Sequence, residues 1–184
     1  MKLRVSALIS ALALVVAVAS VSCAADVALT SIGQSPDAMM VKVVLKSLKI
    51  TPDYEALMKA TDLDGQKVLI AVVGGSSKGL GAAGIDKDQE VARSKALMEK
   101  AQADGMKILV MHVGGPGRRG TLSDLFISAA VPFSDALIVV DRDNTDMDGL
   151  FSKLVDGKVE ILSAENVRGT KEPLGTVLSS WGVN

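Results

Sequence analysis

The chain carries one stretch twice, about forty residues apart: Lys67-Val-Leu-Ile-Ala-Val-Val-Gly74-Gly75-Ser76-Ser77-Lys78-Gly79, then Lys107-Ile-Leu-Val-Met-His112-Val-Gly114-Gly115-Pro-Gly-Arg118-Arg119-Gly120. Each copy is a short apolar run that stops at Gly-Gly and opens into a small loop with positive charge. Runs of this length, rich in Val and Ile, suit strands buried on both faces of a parallel sheet. If the two strands lie parallel and close together, both basic loops emerge at the carboxyl edge, where open α/β sheets bind ligands. The repeat therefore constrains both the fold class and the place of a site.

The remaining segments alternate strand and helix. Val27 to Ile32 reads as a first strand, and Ser35-Pro36 as an N-cap and first helical residue. The helix that follows runs to about Leu48, with Met40, Val43, Val44 and Leu48 on its apolar face. A short edge strand near Tyr54 and a helical turn from Ala56 to Ala60 lead to the turn Asp64-Gly65. Gly74 to Ile85 reads as a long Gly-rich loop, after which Asp86 and Gln89 form a capping pair for a helix over 87–104 that Gly105 closes. The second repeat strand spans Ile108 to Val113, with His112 in register with Val72. Thr121 and Asp124 bracket a helix that runs toward Pro132. Ala136 to Val140 is a buried strand, Leu150 to Val155 a short helix stopped by Gly157, Val159 to Leu162 the last strand, and Pro173 to Trp181 a terminal helix. The expected fold is a three-layer α/β/α sandwich on a mostly parallel sheet of five or six strands, flavodoxin-like or Rossmann-like.

Residues 1–25 read as an export signal: Lys2 and Arg4 precede an apolar run from Val5 to Val21, and small residues cluster before Asp26. Cleavage after Ala24 or Ala25 is the first reading, and lipid attachment at Cys23 the second. Residues 26–184 then form a single exported domain, periplasmic or extracellular, with no cysteine and no further membrane segment. The full chain has 20 basic and 21 acidic residues, a balance that gives no footprint for nucleic acid.

The candidate ligand-binding residues follow from the two loops and the first strand's end. Gly74, Gly75, Ser76, Ser77, Lys78, Gly79 and Gly81 supply amides, hydroxyls and a cation, and Gly114, Gly115, Arg118, Arg119 and Ser123 their counterparts. Gln34 and Ser35 complete the set from the first strand. Arg118 and Arg119 grip a carboxylate or phosphate at two points in one reading, and pair with Asp124, Asp141 or Asp143 in the other. Gly79-Leu-Gly81-Ala-Ala-Gly84 matches a dinucleotide fingerprint in spacing. It lies after the wrong strand, however, and Asp86, Asp88 and Glu90 would repel a phosphate at the following helix. Aromatic residues make up 3% of the chain, which argues against a flavin. His112, the single histidine, reads as a hydrogen-bonded core residue. The Asp141 to Asp148 stretch reads as a capping loop rather than a Ca²⁺ site, because its acids lack the spacing of a calcium loop. No catalytic residue, metal site or cofactor is assigned.

Over the two Gly-rich stretches, 74–85 and 114–124, and the Gly33-Gln34-Ser35-Pro36-Asp37 segment, the chain resembles a group of small exported bacterial proteins catalogued as domain of unknown function 6305. The resemblance covers nearly the whole expected mature domain. It implies an exported α/β protein and supplies no reaction or ligand.

These readings favour a binding protein for an anionic small molecule, a carboxylate or phosphate compound, over a hydrolase or transferase that uses the same edge. The absence of a nucleophile and base pair sets that order. An accessory protein with a transporter or envelope partner is the third reading.

Overall fold

Buried apolar runs with no polar alternation need a sheet covered on both faces, and that is what the repeat builds. The computed structural model describes residues 25–183. The expected leader, apart from Ala25, lies outside the described residues, and so does Cys23. Among the described residues six parallel strands, β1 (Val27–Ile32), β2 (Asp53–Tyr54), β3 (Val68–Val73), β4 (Lys107–His112), β5 (Ala136–Val140) and β6 (Ile161–Ala164), pair in the order β2-β1-β3-β4-β5-β6. This is the flavodoxin-like order extended by one edge strand. The two repeat strands are direct neighbours, β3 against β4. Their pairing sits one residue away from the sequence alignment: Val72 faces Met111, not His112.

Among the described residues seven helices cover the sheet: α1 (Asp37–Ser47), α2 (Ser77–Ala83), α3 (Lys87–Ala103), α4 (Thr121–Ala130), α5 (Arg142–Thr145), α6 (Leu150–Val155) and α7 (Lys171–Ser180). Alternate residues of each strand feed two separate cores. Leu69, Ala71 and Val73 of β3 pack with Leu97, Phe126 and Phe151 of α3, α4 and α6, while Val68, Ile70 and Val72 pack with Val41, Leu45 and Leu174 of α1 and α7. Right-handed crossovers explain this division: the chain steps one way from β1 to β2 and the other way from β3 onward, so α1 and α3 fall on opposite faces.

Four local expectations change. The buried face of α1 is Ala38, Val41, Val44 and Leu45, whereas Met40 and Val43 are exposed. Two apolar stripes overlap on that helix, and the sheet takes the one with the smaller residue at its N-terminal end. The Gly-rich loop contains α2, capped by Ser76, whose Oγ accepts the Gly79 amide. Buried Leu80 anchors that turn despite the low helix propensity of glycine. The last strand starts at Ile161 because Asp156 and Gly157 both adopt left-handed backbone and a turn bond joins Lys158 N–H to the Val155 carbonyl. The acidic stretch after β5 forms α5 and then caps α6, where Asp146 accepts the amides of Phe151 and Ser152.

Candidate functional site at the carboxyl edge of β1 and β3

Because α1 leaves β1 toward one face and α2 leaves β3 toward the other, the two loops part at the carboxyl edge, as at a topological switch point. A cleft of about 700 Å³ opens there. Gln34, Ser35 and Pro36 line it from the β1 loop, Tyr54 to Leu57 from the end of β2 and the segment after it, and Ser76, Lys78, Gly79, Ala82 and Ala83 from α2 and its cap. Arg118 reaches it from the β4 loop.

The floor of the cleft is sealed by backbone. Gln34 forms an isolated antiparallel bridge with Gly75, and the Ser76 N–H donates to the Gly33 carbonyl at 2.8 Å. Gly33 is required here, since its φ is +91° and a Cβ would come within 2.5 Å of the Gly74 carbonyl oxygen. Gly79 is required for the same kind of reason, because a side chain would run into the Gln34 carbonyl. Beneath the floor lies a buried ionic knot. Oε1 of Glu90, on α3, accepts from the Gly33 N–H at 2.8 Å and from the Gln34 Nε2 at 3.0 Å. Arg93, one turn along, pairs with Glu90 at 2.7 Å and donates to the carbonyls of Ser31 and Met58. Glu90 thus faces inward to hold the β1 loop, rather than outward against a phosphate.

The first glycines of the two repeats meet at one carboxylate. A Cβ on Gly74 or on Gly114 would stand 3.2 Å from Oδ2 of Asp37. Asp37 is 3% exposed, and its Oδ2 has no hydrogen-bond donor among the described residues. The Arg118 side chain lies across Gly114 and brings Nη2 to 3.9 Å from Oδ1 of Asp37. That separation leaves the half-exposed guanidinium free to meet a second anion.

His112 and Arg119 stand behind this rim. His112 is fully buried, with Nδ1 at 3.0 Å from the Val73 carbonyl oxygen and Nε2 at 3.2 Å from that of Gly115. Burial holds its pKa below the ordinary value, against the pull of the two carbonyls and of the Asp37 charge. Arg119 turns away from the cleft. Its Nε donates to Asp124 at 2.7 Å, its Nη2 to Asp148 at 2.8 Å and its Nη1 to the Thr145 carbonyl, while its guanidinium carbon lies 5.4 Å from the Phe151 ring centre. The Asp124 hydrogen bond drives its pKa further up, and Arg119 in turn holds Asp148 below the usual carboxylate range.

The family model that matches residues 24–178 is described as a domain of unknown function, DUF6305. The chain belongs to this family. No curated protein and no solved structure matches it. Within this DUF6305 domain the match runs from β1 into α7, so both Gly-rich loops and the cleft between them lie inside it.

Six of the residues expected at the site line the DUF6305 cleft: Gln34, Ser35, Ser76, Lys78, Gly79 and Arg118. The others do different work. Gly74 and Gly114 make room for Asp37, and Gly75 packs against Leu122 while its amide donates to Ser123 Oγ at 3.0 Å. The amides of Gly33, Gly74, Gly75, Ser76 and Gly79 are all engaged inside the protein, so they do not form the anion cradle expected of the loop. Ser77 faces a separate depression beside Thr121 and Leu122. Gly81 has open space where a Cβ would go, Gly115 supplies a left-handed turn, and Arg119 takes its structural reading. Asp37, Glu90 and Arg93 were missed as part of this region. The one signal for Glu90 was weak: it shares a buried helical stripe with Leu97, Met98 and Ala101, but it and Ser94 interrupt the apolar pattern. Asp37 had none beyond its place after Ser35-Pro36.

Proposed function

We propose that this DUF6305 domain binds a small organic anion, a carboxylate or phosphate compound, in the cleft at the carboxyl edge of β1 and β3. One observation carries the reading. Two cationic side chains from different loops, Lys78 and Arg118, line the same metabolite-sized space; among the described residues Lys78 has no ion pair and Arg118 meets Asp37 only at 3.9 Å. The neighbouring Arg119, by contrast, spends its donors on Asp124, Asp148 and Thr145. The depression farther along the rim carries Asp141, Asp143, Glu165 and Glu172 against Arg142 alone, a net negative lining with the wrong charge for an anion. Ser35 and Ser76 add hydroxyl groups that orient the ligand.

Catalysis at this edge has less support. His112 is fully buried and has both ring nitrogens against carbonyl oxygens, so it is not presented to the cleft as a base. Export under the expected leader belongs to the same proposal and places the ligand outside the cytoplasm.

Calorimetric titration of the domain with hexanoate and with phenyl phosphate tests the reading. Binding should be lost in Lys78→Ala combined with Arg118→Lys, a pair that keeps a cation beside Asp37. Titration heats at background in the parent domain, or unchanged affinity in the double variant, would count against it.

A further inference from the structure

We propose that the ligand is dipolar: an organic acid whose anionic group meets Arg118 and Lys78 and whose other end presents an ammonium or similar donor to Glu55. The assignment rests on the anion-binding reading and names the ligand class for the same cleft.

Charge along the cleft follows the order of the strands. The segment after β2 contributes Glu55, the β1 loop contributes neutral Gln34 and Ser35, α2 contributes Lys78, and the β4 loop contributes Arg118. Three strand spacings of about 4.8 Å separate β2 from β4, which sets the acidic and basic ends roughly 14 Å apart.

Glu55 retains capacity for a ligand. Its Oε1 accepts one bond, from the Leu57 N–H at 3.1 Å, and a carboxylate has acceptor sites beyond that one. The nearby cation, Lys42, is held over the Tyr54 ring at 4.7 Å and is not part of the cleft lining. Burial, with a smaller push from the Glu55 charge, raises the Tyr54 hydroxyl pKa.

Ala56, Leu57, Ala82 and Ala83 add an apolar part to the wall, beside the polar Gln34 and Ser35. Inorganic phosphate would fill a small part of about 700 Å³ and leave that wall wet. A purely anionic chain long enough to fill the space would bring its tail beside Glu55, which has no ion pair among the described residues. An amine at that end turns the mismatch into an ion pair.

The test is calorimetric titration with 6-aminohexanoate and 8-aminooctanoate against hexanoate and octanoate. An exposed ion pair supports a preference of about two- to fivefold for the amino acids. Glu55→Gln should erase that preference while leaving the alkanoate affinity in place. Equal affinities in the parent domain, or a preference that survives Glu55→Gln, would overturn the dipolar assignment and leave anion binding standing. If neither series binds, and phenyl phosphate fails as well, the anion reading falls and this assignment with it.

Discussion

Oε1 of Glu90 accepts the Gly33 N–H at 2.8 Å and ties α3 to the end of β1. The bond is fully buried and shares its acceptor with Arg93, whose guanidinium also holds the Ser31 and Met58 carbonyls. Glu90→Ala removes the counter-charge of a buried arginine and unpairs the Gly33 amide together. It should cost about 3–5 kcal/mol in chemical denaturation, the loss typical of breaking a buried pair from one side. Glu90→Gln keeps an acceptor and should cost less. A loss below about 1 kcal/mol for the alanine variant would mean the knot is not supporting the floor.

Two glycines of α2 make a paired test of close packing. A methyl on Gly79 would collide with the Gln34 carbonyl, whereas one on Gly81 meets nothing within 4 Å. Gly79→Ala should therefore lower the melting temperature. Gly81→Ala should leave it unchanged or raise stability by up to about 1 kcal/mol through the better helix propensity of alanine. Equal losses in both variants would contradict the packing account.

The two adjacent arginines should separate by readout. Arg119→Ala gives up charged hydrogen bonds to Asp124 and Asp148 and its contact with Phe151, which predicts a loss of about 1–3 kcal/mol. Its effect on ligand affinity should be small. Arg118→Lys should do the reverse, weakening binding of hexanoate or phenyl phosphate while the melting temperature holds.

His112 should make the fold sensitive to mild acid. The folded chain depresses its pKa below the ordinary value of 6.5, chiefly by burial, so below that pH the unfolded chain binds more protons. Its contribution is whole above about pH 6.5 and is lost as pH falls toward the depressed folded value, at up to about 1.4 kcal/mol per pH unit. Denaturation midpoints from pH 7.5 to 5 should fall in the parent domain. The fall should be shallower in His112→Asn, which has no titrating ring.

Much of the frame was legible because it rests on local chemistry. The Asp86–Gln89 capping box forms as the spacing predicts, and the repeated runs become neighbouring parallel strands because branched apolar residues with no polar alternation suit nothing else. Their shared rim followed from parallel pairing. Long-range close approach was not legible. Nothing in Gly74 or Gly114 announces that Asp37, from a different loop, will lie against both. The opposite directions of Arg118 and Arg119 depend on the turn at Pro116–Arg118 and on acceptors supplied by α4 and the α5–α6 segment. The inward face of α3 was hidden because Glu90 and Ser94 occupy positions in its buried stripe that pattern reading reserves for apolar residues.

The cleft between the β1 and β3 loops should receive an organic anion through Lys78 and Arg118. Amide chemical-shift mapping during titration with hexanoate and phenyl phosphate tests it most directly. Shifts should concentrate at Gln34, Ser35, Ser76, Lys78 and Arg118, saturate together, and vanish in the Lys78→Ala, Arg118→Lys double variant. Saturable shifts centred elsewhere, or none at these residues, would contradict the account.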